Sequence, residues 1–162
     1  MSQQLREALN QPGEVLMLRG AFQYALRDLN GNLIKKGITE NTVALVGRAW
    51  VLKKLESTDS TTQVISHMGI GSGLVAPTTA NTGLGAEVTR KAVSSIDTSN
   101  LTANPPNIQF ECSFASNEAN TTIGEAAMFN SSAVGTMFAR ATIASFVKAT
   151  SNTFALSYII SD

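Results

Sequence analysis

Charged side chains are scarce in this chain, above all in its second half. Only 15% of the 162 residues are Asp, Glu, Lys or Arg, whereas about a quarter is usual for a globular domain. Between residues 92 and 162 the charged residues are Asp97, Glu111, Glu118, Glu125, Arg140, Lys148 and Asp162. Because catalysis generally needs clustered titratable groups, we expect the chain not to be an enzyme.

Cysteine and histidine are almost absent as well. A single cysteine, Cys112, excludes an internal disulfide and any CxxC site. It lies within an alternating apolar segment, which predicts a small buried side chain. The only histidine, His67, has no His or Cys partner for a metal site, so we expect a strand residue with a hydrogen-bonded ring and no cofactor.

The balance of charge and the lack of long apolar runs exclude two classes of partner. The formal net charge is zero, whereas nucleic-acid binding depends on an excess of Lys and Arg. No stretch approaches the ~20 apolar residues of a membrane span, and residues 1–9 lack the basic and apolar regions of a secretory signal. We therefore expect a soluble cytosolic product that binds neither nucleic acid nor membrane, and zero net charge favours self-association.

Short runs rich in β-branched and apolar residues, separated by turn residues, indicate a mainly β chain. After residue 63 the predicted strands cover 63–70, 88–97, 108–115, 121–129, 136–144 and 153–161. This spacing is typical of an antiparallel β-sandwich, which we expect to be jelly-roll-like. Residues 1–20 are interpreted as an N-terminal arm with a short helix, and 21–162 as a single sandwich domain.

Two local features stand out in the first third of the chain. Asn30-Gly31 separates alternating segments over 14–28 and 32–37, which predicts a hairpin that needs positive φ at Gly31. Apolar residues at three- and four-residue spacing then predict one helix over about 42–55, capped by Asn41 or Thr42. Trp50 lies on its apolar stripe and is interpreted as a core anchor.

Four isolated charges are the best candidates for structural or interaction sites. Glu87 and Arg90 flank the start of a predicted strand, and Glu125 and Arg140 lie within otherwise apolar strands. Because such charges are normally paired or exposed, we predict that Arg140 pairs with Glu87 or Glu125, within the fold or across a subunit contact. The glycines of Gly69-Ile-Gly-Ser-Gly73 lack the remainder of a phosphate-binding motif and predict a tight turn.

Glu111, Glu118 and Glu125 recur every seven residues, a spacing that could suggest carboxylates for acid–base catalysis, as in a glycan hydrolase, or for Ca²⁺ ligation. Glu111 and Glu125 lie on predicted strands, where seven-residue spacing does not by itself bring side chains together. Catalytic carboxylates would have to lie roughly 5–9.5 Å apart in one cleft. The enzyme therefore remains the least favoured alternative.

Two segments resemble a known group of proteins. The run from Gly69 to Arg90, GIGSGLVAPTTANTGLGAEVTR, and the segment TIGEAAMFN followed by Met137-Phe-Ala-Arg140 resemble signatures of small structural proteins of tailed bacteriophages. The second departs from that pattern at Ala127, where glycine is expected, and at Met128, where leucine is expected.

This resemblance implies a virion structural protein without catalytic residues, located in the particle and assembled in the cytoplasm of the bacterial host. The leading hypothesis is a capsid decoration (cement) protein that bridges major capsid subunits, as a homotrimer or another homo-oligomer. In that role the arm and loops 72–83 and 98–106 are the expected contact surfaces. The alternative is a tail-fibre or baseplate component involved in host attachment.

Overall fold

A computed structural model describes residues 18–55 and 64–161, which form two antiparallel five-stranded sheets and one helix. The first sheet contains, in spatial order, β2 (Leu33–Glu40), β1 (Arg19–Asp28), β10 (Asn152–Ser161), β7 (Asn107–Phe114) and β6 (Ser95–Asp97). The second contains β3 (Thr42–Val43), β9 (Met137–Val147), β8 (Thr122–Phe129), β4 (His67–Gly71) and β5 (Glu87–Ala92). Helix α1 (Leu45–Leu55) follows β3. The predicted mainly β sandwich with one helix is confirmed.

The sandwich already includes Arg19 and Gly20, which the sequence assigned to the arm. These residues pair with Ser161 and Ile160 of β10. Residues 1–17 of the predicted arm, with its short helix, lie outside the described residues.

The core lies between the two sheets and is rich in aromatic rings. Alternate residues of the first sheet point inward. Among them, Tyr24 and Tyr158 contact aromatic rings of the second sheet. The Tyr24 ring stacks on Phe146 at 5.6 Å between centroids, and Tyr158 meets Phe138 edge-on at 6.3 Å. Cys112 is 1% exposed, which confirms its prediction as a small buried side chain.

The hairpin between β1 and β2 is confirmed, and its return strand runs three residues further than predicted. Gly31 has a φ of +87°, while Asn30 is not in the left-handed region. The loop is wider than a two-residue turn: the Asp28 N–H donates to the Asn32 carbonyl, and the Asp28 carboxylate accepts the Asn32 N–H at 2.8 Å. Glycine is therefore needed at one turn position only.

The helix begins three residues later than predicted, and neither proposed cap is correct. Thr42 and Val43 instead form β3, which pairs with Arg140 and Ala139 of β9. The first helical hydrogen bond runs from Arg48 N–H to the Ala44 carbonyl, so Ala44 occupies the cap position. A β-branched pair thus joins the sheet because a partner strand is available there.

The predicted strand over 88–97 is in fact two strands that belong to different sheets. The chain leaves β5 of the second sheet and enters β6 of the first through Val93 and Ser94, whose N–H groups donate to Ser66 and Glu111 carbonyls. On the opposite side, side chains of β2 cap the free edge of β9: Thr39 Oγ1 donates to the Thr142 carbonyl at 3.1 Å, and Lys35 Nζ to that of Ser145 at 2.9 Å. One side of the sandwich is therefore closed by the chain as it crosses between the sheets, and the other side is closed by side-chain hydrogen bonds.

Candidate functional site

The outer face of the second sheet is covered by the long loop between β4 and β5, residues 72–86, and a buried ion pair lies beneath this loop. Arg140 Nε lies 2.7 Å from Glu125 Oε2, and the two side chains are 3% and 0% exposed. One of the two pairings predicted from the sequence is therefore observed. The contact lies within the fold, on the adjacent strands β8 and β9.

The Glu125 carboxylate holds both ends of loop 72–86. It accepts the N–H of Gly73 at 3.1 Å near the start of the loop. At the end of the loop it accepts the N–H groups of Gly85 at 3.0 Å and Ala86 at 2.7 Å. A carboxylate bonded to several backbone N–H groups is strongly stabilised in its charged form, so one side chain fastens the loop to the sheet.

Arg140 holds the middle of the same loop. Its Nη2 donates to the Val75 carbonyl at 3.0 Å, and its Nη1 donates to Asn81 Oδ1 at 3.0 Å. Asn81 Oδ1 also accepts the Thr78 N–H at 2.7 Å. The guanidinium thus uses its planar set of donors on a carboxylate and on two points of the loop. We call Glu125, Arg140 and loop 72–86 together the loop anchor.

Gly71 and Gly73, on either side of the start of the loop, are needed for space. A Cβ atom on Gly71 would lie 2.5 Å from the Ala86 carbonyl oxygen and from Glu125 Oε1, and one on Gly73 would lie 2.5 Å from Glu125 Oε1. Neither residue has a positive φ. The segment depends on glycine, as predicted, but it is the end of β4 and the start of a long loop and not a tight turn. The glycines are needed because the absence of a Cβ lets the loop backbone reach the carboxylate.

The pKa of Glu125 lies below its ordinary value. Burial raises the pKa of this carboxyl, but the N–H groups of Gly85 and Ala86 and the charge of Arg140 outweigh burial and lower it. The group is thus held as a carboxylate, with its charge compensated inside the fold.

Glu87 and Arg90 form a separate pair on β5, so Glu87 is not the partner of Arg140. Arg90 Nε lies 2.7 Å from Glu87 Oε1, and its Nη2 lies 3.0 Å from Oε2. The Arg90 guanidinium also stacks on the Phe129 ring, with Cζ 3.4 Å from the ring centre. Phe129 packs with Ala44, Ala127, Met137 and Leu84 in a small cluster, so the Arg90 guanidinium closes this cluster toward solvent.

The burial of Lys148 was not predicted from the sequence. It is 0% exposed, and its Nζ donates to the Ala115 carbonyl at 2.7 Å and to Asn120 Oδ1 at 3.0 Å. Burial lowers the pKa of Lys148, and the nearby Glu118 carboxylate partly opposes that effect. Its isolation directly after the apolar end of β9 was the available signal, but its partners lie in a loop about 30 residues away.

The remaining candidates have structural surroundings. Trp50 is half-buried and meets Phe138 edge-on at 6.1 Å, at the margin of the core. His67 Nδ1 shares a hydrogen bond with Ser66 Oγ at 2.8 Å, as predicted for a strand histidine. Glu111 is exposed on β7, whereas Glu125 is buried on the other sheet.

Within residues 18–55 and 64–161, no group of three or more His, Cys, Asp or Glu side chains is placed to hold a metal ion. The same described ranges contain no helix long and apolar enough to cross a membrane. Comparison with known proteins finds no matching family model and no significant match among curated proteins or solved structures. Function is therefore inferred from the residues and their geometry.

Proposed function

We propose that this chain is a structural protein of a tailed-phage particle, and specifically a capsid decoration protein that contacts the major capsid protein. The observation that carries the proposal is the loop anchor. The two segments that resemble phage virion proteins supply its two halves, because the first contains loop 72–86 and the second contains Glu125 and leads to Arg140. The two segments that carry the resemblance together hold a surface loop in place, which supports a structural role.

The anchored loop has the properties of a contact surface. It contains no charged residue, and it exposes Leu74 to 65% and Val75 to 77%. It is held by five hydrogen bonds to Glu125 and Arg140, four through its backbone and one through the Asn81 side chain. A loop that is already ordered loses little conformational freedom when it binds, which suits a permanent contact between virion subunits.

The displaced pKa values also favour a structural role. Glu125 and Lys148 are both fully buried and are both bonded to loop backbone. Groups with displaced pKa values in a cleft would indicate catalysis, whereas these fasten loops to strands.

The proposal is tested by sedimenting purified protein with particles of the phage that encodes it, after removal of the native protein. Val75→Arg should abolish co-sedimentation, while Val134→Arg, on the separate loop between β8 and β9, should not. Val134 is 89% exposed, so both substitutions should leave the fold intact. Gold-labelled antibody should mark heads of intact particles.

Each alternative has its own result in these experiments. Gold at tail tips would favour the host-attachment role, and an absence of gold from all particles would contradict a virion location. Equal binding of both arginine variants would exclude loop 72–86 as the contact. Assembly in the bacterial cytoplasm and a homo-oligomeric state are part of the same proposal.

A further inference from the structure

The outer face of the first sheet, opposite to the core, is exposed and has an uncharged centre. Side chains of β1 and β10 alternate between the core and this face. Those at its centre are uncharged, and apart from Gln23 they are small or apolar: Ala21, Ala25, Ala155, Ser157 and Ile159. With the outward residues of β2, β7 and β6, they make up what we call the outer sheet face. A shallow hollow of about 510 Å³ lies on it, between Lys36 and Ile38 on one side and Ala155 and Ser157 on the other.

Charges on the outer sheet face are segregated to its two sides. The β1–β2 side carries the cations Arg19, Arg27 and Lys36 against one anion, Glu40. The β7–β6 side carries Glu111 and Asp97 and no cation. The middle strand, β10, carries no charge at all. The face is therefore positive on one side, negative on the other and neutral between them.

We propose that two copies of this chain pack through their outer sheet faces, related by a two-fold axis roughly parallel to β10. Such an axis places the β1–β2 side of one copy over the β7–β6 side of the other, so that opposite charges face each other twice. An axis perpendicular to the strands would place β1 over β1 and bring like charges together. Charge complementarity thus selects one of the two face-to-face arrangements.

Lys36 and Glu111 are the residues expected to meet across this interface. Lys36 borders the hollow. Glu111 lies in the same cross-strand row as Ser157, Gln23 and Ile38, and these three residues line the hollow. After the two-fold rotation, Glu111 of the second copy lies over the hollow beside Lys36. Sheets that pack face to face are about 10 Å apart, a gap that a Lys and a Glu side chain together can span. The small central residues allow this approach.

This inference does not rest on the proposed virion role, because the loop anchor covers the other sheet. The test is the solution mass of the full-length chain by analytical ultracentrifugation over a range of concentrations. The expected species has twice the 17.1 kDa of one chain. A monomer at all concentrations, or a trimer, would overturn the proposal.

Charge reversal then tests the arrangement itself. Lys36→Glu and Glu111→Lys should each weaken dimerisation by roughly tenfold or more, and the double exchange should restore it.

Ala155→Arg should abolish the dimer without lowering the melting temperature of the monomer, whereas Val134→Arg should leave the dimer intact. A dimer that tolerates Ala155→Arg, or a double exchange that does not rescue, would show that another surface is used. The wild type could instead be monomeric, with a lower melting temperature for its Ala155→Arg variant. In that case the outer sheet face is covered by the chain itself, and the proposal fails.

Discussion

At the scale of single residues, the buried charges of Glu125 and Lys148 share one function. Each lies within or beside an apolar strand, and each binds backbone groups of a loop that is distant in sequence. A buried charge is tolerated only when its hydrogen-bonding capacity is filled. Here the loops fill that capacity, so the charge and the loop stabilise each other.

Replacing Glu125 by Gln tests this mutual dependence. The substitution keeps the size of the side chain but leaves the Arg140 charge without its partner. Loss of one member of a buried ion pair typically costs about 3–5 kcal/mol, and we expect a decrease of this size in the free energy of unfolding by urea. Glu87→Gln is the matched control, because the Glu87–Arg90 pair is partly exposed and should cost less than ~1 kcal/mol. Equal losses of unfolding free energy at the two positions would contradict the conclusion that the buried Glu125–Arg140 pair stabilises the fold more than the partly exposed pair does.

The same pair of proteins gives a test against pH. The folded-state pKa of Glu125 lies below its ordinary value of 4.5, so the carboxylate stabilises the fold above the unfolded-state pKa. That contribution is lost as the pH falls through the lower folded-state pKa. The difference in unfolding free energy between wild type and Glu125→Gln should therefore narrow below pH 4.5. A difference that stays constant over that range would show that the Glu125 charge does not account for the loss.

At the scale of elements, the sequence predicted strands well and their partners poorly. Alternation and turn residues are local, and they located the strands around Phe110, Phe129 and Leu156 to within a few residues. The start of α1 was misplaced because Thr42 is held by Arg140, almost a hundred residues later. The need for a partner to Arg140 was visible in the sequence, since a charge in an apolar strand must be compensated. The loop contacts of the pair were not visible, because neither the backbone N–H groups that donate to Glu125 nor the Val75 carbonyl that accepts from Arg140 leaves a sequence signal.

Helix α1 offers a prediction that reverses an ordinary rule. Gly→Ala in an exposed helix usually stabilises by about 1 kcal/mol. Gly47, however, is buried against the backbone of β9, where a Cβ atom would collide with the Phe138 carbonyl oxygen and Cα. Gly47→Ala should therefore lower the free energy of unfolding, by about 1–3 kcal/mol for an overpacked contact. Gly83→Ala is the control, since no atom lies within 4 Å of its Cβ position and a neutral or slightly stabilising effect is expected. A stabilising Gly47→Ala would show that α1 does not pack closely on β9.

At the scale of the whole molecule, one core is closed on all sides by different means. The chain itself crosses between sheets at Val93 and Ser94, β2 side chains cap β9, and loop 72–86 covers the outer face of the second sheet. Among residues 18–55 and 64–161, no element covers the outer face of the first sheet, which is the surface proposed for dimerisation. Aromatic rings from both sheets pack against one another in one core, so we expect the two sheets to unfold together.

Cys112 reports directly on that cooperative opening. Its thiol is 1% exposed in the core, and burial raises its pKa to about 11, with the nearby Lys91 partly opposing that effect. A thiol reagent at pH 8 meets neither an accessible nor an ionised sulfur in the folded state. Labelling should therefore be slower than in denaturant by roughly three orders of magnitude or more. The free energy derived from labelling under native conditions should equal that from urea unfolding, and Glu125→Gln should lower both by the same amount. Rapid labelling in native buffer, or a labelling free energy well below the urea value, would instead mean that β7 opens without the rest of the sandwich.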